Sequence, residues 1–249
     1  MPFYSYLLSD LPGIEHAFLN IEESRCFDSD ISVGVHQLHG PEVFCFNDSS
    51  LISFANQTKA DAIFTPVQGI PIKIVTADCI PLLLSSIDGQ YVAVIHAGWR
   101  GIISGVIQNC LHQFNVNNTS SGDIIVAGGP HIMPCCYEVS SDFVTLLLSS
   151  DMVKKIEKDH IELFFRLMKS FNHSKLGQFT KKRSVSSSYF DISLFCKMIL
   201  ISEGIPEENI DFVNKCTYCS HENLGSYRRR THFPAPKTYQ YSWIRKIPS

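Results

Sequence analysis

The sequence predicts one mixed α/β domain, and three observations carry that reading. Between residues 61 and 130, short runs rich in Val and Ile alternate with turn residues. One of those runs is followed directly by apolar residues at helical spacing, the order expected where strands and helices interleave. No Gly/Ser-rich or Pro-rich linker and no internal repeat divides the chain. With 249 residues, 45% of them hydrophobic and 18% charged, there is enough apolar material for a substantial core.

The elements follow in order. "IKIVTADC" (72–79) and "YVAVIHAGW" (91–99) read as buried strands ending in small residues. In "GIISGVIQNCLHQF" (101–114), Ile102, Ile103, Val106, Ile107, Leu111 and Phe114 share one helical face. "DIIVAGGPHI" is a further strand running into a Gly-Gly-Pro turn. The stretch 140–168 reads as helical, with Ser140 or Ser141 as N-cap. "DISLFCKMILISEGI" predicts a helix capped by Asp191 and closed by Gly204. "IDFVNKCTYC" and the closing "YQYSWIRKI" are strand-like, whereas 174–190 is the most loop-like segment.

Composition excludes some classes of function. A net charge of -3 leaves no broad basic surface for nucleic acid. The basic runs Lys181–Arg183 and Arg228–Arg230 are local, and the first reads as solvated surface. "MPFYSYLLSD" lacks the basic start and apolar stretch of a secretory signal, and no run reaches the roughly 18 apolar residues that span a bilayer. The expectation is a cytoplasmic protein without a membrane partner. Nine cysteines in a reducing compartment argue for buried thiols, a metal site or a nucleophile rather than a disulfide framework.

Three predicted strand ends carry reactive side chains: His36, Gln37 and His39 in "GVHQLHG", Asp78 and Cys79 in "TADCIPLLL", and His96 in "VIHAGWRG". One Cys and two His match zinc chemistry, and three protein ligands leave the open position a catalytic zinc needs. Each residue also has a plain reading, as a packed core histidine or a small buried thiol. Other zinc signatures fit less well. His160-Ile161-Glu162 has no P-C-x-x-C after it, and His221-Glu222 lacks a second zincin histidine. Cys216 and Cys219 form one CxxC, and only the Cys135-Cys136 pair could complete a four-cysteine site. "GGPHIMPCCYEV" offers backbone amides at a glycine turn, and "GSYRRR" sets Tyr227 beside arginines able to fork onto phosphate.

The ordered set "HQLHG", "TADCIPLLL", "VAVIHAGWRG", "GPHIMPCCYEV" and "CTYCSHENLGSYRRR" closely resembles the laccase-domain family. Its members were first called multicopper polyphenol oxidoreductases and are now described as purine nucleoside enzymes. The resemblance implies a single domain over 1–249, with helices layered around mixed β-sheet as an α-β-β-α sandwich. It implies one zinc held by His39, Cys79 and His96. It also implies phosphorolysis of adenosine, inosine and methylthioadenosine and deamination of adenosine, so that purine nucleosides and phosphate are the partners. The chain departs from the family pattern in two places. "LNIEESRC" stands where an Arg-Gly-Gly type turn is usual, and His131 and Met133 replace small residues.

On that resemblance, Asp78 or Glu138 shuttles protons, and Arg100, Arg228 or Arg229 holds phosphate. Tyr227 stacks on the base, and Gln37 belongs to the substrate site. Asp78 has a second possible role, orienting a histidine. Three alternatives stay open. Copper(II) outranks zinc in affinity for such N/S sites, as an older polyphenol-oxidase reading would need, although the chain has no H-x-H. Cys136 or Cys135 is a candidate nucleophile of a cysteine hydrolase. A fourth ligand from His36 or Cys136 would make the zinc structural and the domain a non-catalytic binding module.

Overall fold

A computed structural model of the chain describes residues 1–27, 31–154 and 188–247. Lys181–Arg183, His160, Glu162, the segment 174–187 and the helical reading beyond 154 lie outside the described residues. The strands are β1 (Ile14–Phe18), β2 (Val43–Cys45), β3 (Ala62–Thr65), β4 (Ile72–Thr76), β5 (Ile80–Ser86), β6 (Val92–Ala97), β7 (Ile124–Gly128), β8 (Glu138–Val139), β9 (Ser188–Tyr189), β10 (Ile210–Phe212) and β11 (Gln240–Lys246).

Six strands form a mixed sheet in the order β10-β7-β5-β6-β3-β2. The outer pairs β10/β7 and β2/β3 are parallel, and the inner pairs are antiparallel. Side chains alternate across each strand, so both faces must find cover. Ile80, Leu82, Leu84, Ala93 and Ile95 join the helix side, while Leu83, Val92 and Val94 join the opposite side. Every residue of "IPLLLSS" and "VAVIHA" is therefore buried, Ser85, Ser86 and His96 included.

The helix layer consists chiefly of Val106–Val116 and Ile192–Ser202, which contribute Ile107, Phe114, Phe195 and Ile199 to the core. The other face packs against an antiparallel three-stranded sheet, β1-β11-β4, through Ile14, Phe18, Ile72, Ile74 and Ile244. Outside that smaller sheet lies the short helix Ile21–Cys26, tied on by Ser24, whose hydroxyl accepts the Tyr241 N–H at 2.9 Å. The mixed α/β layering expected of the chain is the observed architecture.

Two expected helices are each divided. The apolar stretch after β6 becomes Trp99–Ile103 and Val106–Val116, because Gly105 takes a left-handed φ of 96° that ends one helix and starts the next. The stretch from Ser141 becomes Ser141–Ser149 and Asp151–Lys154. There the Ser149 and Ser150 hydroxyls donate to the carbonyls of Leu146 and Leu147, and such local bonds compete with helix continuation. The Asp191 cap and the left-handed Gly204 fall where the sequence places them. The strand expected over "IDFVNKCTYC" ends at Phe212, and the remainder turns. Among the described residues no helix is long and apolar enough to cross a membrane.

Candidate metal centre

Strand register assembles the centre. β5 and β6 pair Ile80 with Ala97 and Pro81 with His96, which leaves Cys79 and Gly98 facing each other one step beyond the ladder. β3 pairs Ala62 with Ile95, so Asp61 arrives beside His96, whose N–H donates to the Asp61 carbonyl at 2.7 Å. His39 comes from the loop before β2, in a left-handed conformation with φ 62°. The donor atoms of His39, Cys79 and His96 all lie within 4.8 Å of one another, and the Cys79 sulfur is 3.8 Å from His39 Nε2. Among the described residues no fourth donor joins them. His36 is exposed on the same cleft, and Cys136 lies elsewhere.

Gly98 explains the glycine of "HAGWRG". A Cβ there would sit 2.8 Å from His39 Cδ2 and 3.1 Å from the Cys79 sulfur, so only a bare backbone lets these two side chains approach.

Asp61 is the residue that sequence reasoning missed. Its carboxylate accepts Nδ1–H of His96 at 2.7 Å and the backbone N–H groups of Leu38, His39 and Gly40 at 3.0, 2.9 and 2.8 Å. Nε2 of His96 is thereby left to face the other two ligands, the carboxylate–histidine arrangement typical of metal sites. An aspartate just before an apolar strand was the available signal, but nothing in its spacing pointed to residue 96. Burial works against the Asp61 charge, yet hydrogen bonds from His96, Gly40 and Leu38 outweigh it and hold the carboxyl below its usual range. For Cys79, burial opposes ionisation, but the His96 charge and the His39 and His96 hydrogen bonds lower the thiol to about 7. For His96, burial is likewise outweighed by the Cys79 thiolate and by Asp61, which raise the imidazole to about 9. A thiolate and two imidazoles, one already braced by a carboxylate, are a donor set that fits a divalent ion of borderline softness.

The three candidate ligands open onto a cleft of about 820 Å³, within the range of small-molecule sites. Asp78, Trp99, Arg100, Tyr137, Tyr227, Arg228 and Arg230 line it. Asp78 is strained, with φ 101°, and buried; its carboxylate accepts from the Thr217 hydroxyl at 2.6 Å and the Arg228 N–H at 2.7 Å. Burial dominates and holds this carboxyl above its usual range, against the Arg228 and Thr217 hydrogen bonds. The carboxylate that orients a histidine is therefore Asp61, while Asp78, bonded to Thr217 and Arg228, keeps its place in the cleft wall. Arg100, Arg228 and Arg230 each lie over an aromatic ring: Trp99 at 4.4 Å, Tyr137 at 5.4 Å and Tyr227 at 5.3 Å.

Several expected site residues sit otherwise. Arg229, read as a phosphate ligand, points inward and donates to the carbonyls of Thr217, Tyr218 and Leu224 at 2.6, 2.9 and 2.6 Å, because these turn carbonyls have no strand partner. Glu138 is not part of the cleft wall; its carbonyl accepts from the Arg228 guanidinium at 2.7 Å. Gln37 does line the cleft, but its amide pairs with the backbone N–H and carbonyl of Val75, both at 2.8 Å, like an extra strand residue. Cys136 lies in a cluster with Cys135, Cys216 and Cys219, and its neighbouring thiols push its pKa up. The Gly-Gly turn presents no free cradle, since Gly129 donates its N–H to the Pro81 carbonyl and a Cβ there would collide with the Phe18 ring. His131 is fully buried, donating Nδ1–H to the Gly129 carbonyl, and stays out of the cleft wall. The "GSYRRR" segment is a short helix, Tyr227–His232, capped by Ser226.

The fold resembles that of solved proteins. YlmD from Geobacillus stearothermophilus superposes with a TM-score of 0.73 at 18% identity, covering 98% of this chain and 94% of that one. Neisseria meningitidis NMB0706 gives 0.75 at 18% identity, covering 100% and 99%. By sequence, adenosine deaminase RL5 of an unknown prokaryotic organism is 28% identical over 169 residues, 68% of this chain and 56% of the relative. A purine nucleoside phosphorylase of Rickettsia conorii is 27% identical over 202 residues, 81% of this chain and 72% of that protein. The aligned stretch thus spans little more than half of the first relative and most of the second. A family model described as multi-copper polyphenol oxidoreductase laccase matches residues 14–235, and with that match the chain belongs to this laccase-domain family.

Proposed function

We propose that the protein is a zinc-dependent purine nucleoside enzyme that phosphorolyses adenosine, inosine or methylthioadenosine and deaminates adenosine, acting in the cytoplasm. One observation carries the reading: the convergent side chains of His39, Cys79 and His96, a buried carboxyl and three cationic side chains on aromatic rings share one cleft of nucleoside size. The relatives named adenosine deaminase and purine nucleoside phosphorylase support it. His39, Cys79 and His96 would hold the zinc, which when bound supplies a Lewis acid able to acidify water to a pKa of about 7.

The chain's own residues do the rest. Tyr227 and Tyr137 offer faces to the purine, each already paired with an arginine. Arg100, Arg228 and Arg230 gather positive charge where phosphate must approach C1′ of the ribose. In phosphorolysis a phosphate oxygen bonds to C1′, the bond from C1′ to the base nitrogen breaks, and the base leaves with a proton. Asp78, kept protonated more readily than an ordinary carboxyl by burial, donates that proton. Asp61 holds His96 in one tautomer and keeps the 38–40 loop in place.

A multinuclear copper oxidase fits the donors less well. Among the described residues only two groups of His, Cys, Asp or Glu converge, and one of them contains no histidine. The test is chromatography of adenosine, inosine and methylthioadenosine incubated with zinc-loaded protein, with and without phosphate. Free base released only with phosphate, and lost in His96→Ala, is the expected result. No turnover of any of the three by zinc-loaded protein would overturn the reading.

A further inference from the structure

The second converging group is made of thiols alone. Cys135 and Cys136 lie in the turn after β7, and Cys216 and Cys219 follow β10, 80 or more residues later in the chain, yet every sulfur lies within 4.8 Å of every other. The Cys136–Cys219 separation is 3.3 Å and the Cys135–Cys219 separation is 3.8 Å. Four thiolates placed tetrahedrally about one zinc at about 2.3 Å stand about 3.8 Å from each other. A disulfide joins two sulfurs at about 2.05 Å and gives no reason for four to gather. An iron–sulfur cluster inserts several atoms between its cysteines and would hold them farther apart. The spacing suits a single ion.

The backbone prepares this convergence without help from the thiols. The His131 N–H donates to the Lys215 carbonyl at 3.2 Å, and the Thr217 N–H donates to the His131 carbonyl at 2.9 Å, so the two segments run side by side. The CxxC closes on itself through the Ser220 N–H and the Cys216 carbonyl at 3.1 Å. Around Cys136 and Cys216 the packing is small and apolar, formed by Ile132, Met133, Tyr137 and Tyr218. A patch of that size cannot pin two loops by burial alone, and a metal crosslink is the usual substitute where the local core is thin.

We infer that Cys135, Cys136, Cys216 and Cys219 form a second metal site, a closed four-thiolate structural zinc, separate in its ligands from His39, Cys79 and His96. With four protein ligands it has no open position and does no chemistry. It locks the segment carrying Ile132 and Tyr137 to the segment whose Thr217 holds Asp78 and which leads on to Arg228. The floor and one wall of the cleft are thus fixed to each other. This inference does not depend on which reaction the cleft performs.

The experiment uses the full-length, tag-free protein purified under reducing conditions, with zinc counted by mass spectrometry of the element. Wild type should carry about two equivalents, and His96→Ala and the pair Cys216→Ser/Cys219→Ser about one each, because each change removes one ligand set. Cobalt bound to His96→Ala protein should show the intense sulfur-to-metal and visible bands of a tetrahedral thiolate centre. Those bands should shift when Cys135→Ser is added. This second readout serves if the Cys216/Cys219 pair does not fold. One zinc in wild type that is absent from His96→Ala would overturn the inference. So would cobalt-loaded His96→Ala protein without thiolate bands, or intact-mass evidence of disulfides among the four cysteines. Failure of nucleoside turnover with two zincs present would sink the proposed function and leave this site standing.

Discussion

Asp61 and His96 form a buried pair, the carboxylate accepting Nδ1–H at 2.7 Å, with the two side chains 1% and 5% exposed. The same carboxylate collects three backbone N–H groups from residues 38–40, so one aspartate fixes both His96 on its strand and His39 on its loop. Its removal should therefore be felt at both histidines. Asp61→Asn keeps the shape but cannot accept all four donors as an anion. We expect metal affinity to fall about 10- to 100-fold. Competition with a zinc chelator measures it, and unchanged affinity would show that the pair does not tune the centre.

Gly98 gives a second, steric test. Gly98→Ala places a methyl 2.8 Å from His39 and 3.1 Å from Cys79, and both neighbours belong to the proposed ligand set. The ring must move, so zinc at the histidine-containing centre should drop well below one equivalent while the circular dichroism spectrum keeps its native shape. Full occupancy in this variant would mean that the ligands have slack the geometry does not suggest.

Two adjacent arginines should behave in opposite ways. Arg229 ties down three carbonyls, and hydrogen bonds from a charged group contribute about 1.5–3 kcal/mol each. Arg229→Met should cost several kcal/mol of unfolding free energy, on the order of the loss of a buried network. Arg228→Ala removes a cleft cation and should raise the KM for phosphate about tenfold or more, with a smaller stability loss. Denaturant titration and steady-state kinetics on both variants separate the roles. Equal effects on KM would dismiss the distinction.

His16 makes stability depend on pH. It accepts the Ser5 N–H at Nε2 at 2.9 Å, which requires a neutral ring, and burial lowers its pKa from 6.5 to about 4 despite Asp211 nearby. The unfolded chain takes up this proton near pH 6.5 and the folded chain only near 4, so stability is whole above 6.5 and falls as pH drops between the two values. A shift of this size corresponds to at most about 3 kcal/mol. Urea titrations at pH 7.5 and 4.5 should show a steeper loss for wild type than for His16→Gln. Parallel losses would rule the effect out.

The sequence made much of the frame legible. Strands buried on both faces leave nearly continuous apolar runs, and β6 and β7, both predicted as strands from the sequence, are such runs; β5, at the centre of the sheet, is not among the predicted strands. Asp191 and Gly204 announce the ends of their helix because capping is local chemistry. The motifs around His39, Cys79 and His96 pointed to three side chains whose donor atoms do converge.

Less legible were the places where a side chain's work depends on a distant partner. Arginines 228, 229 and 230 are equivalent in a string of letters, and helix geometry sends the middle one inward to three carbonyls while its neighbours line the cleft. Asp78 and Asp61 each precede an apolar strand, but only the β3/β6 register brings one of them to His96.

What the sequence determined by itself was periodicity, capping and the identity of chemically able side chains, all properties of a residue and its near neighbours. The tertiary structure decided pairing: which carboxylate meets which imidazole, which arginine turns inward, and that two cysteine pairs 80 or more residues apart share one point in space. Pairing of that kind is set by strand register and loop contacts summed over the fold, and no local pattern carries it.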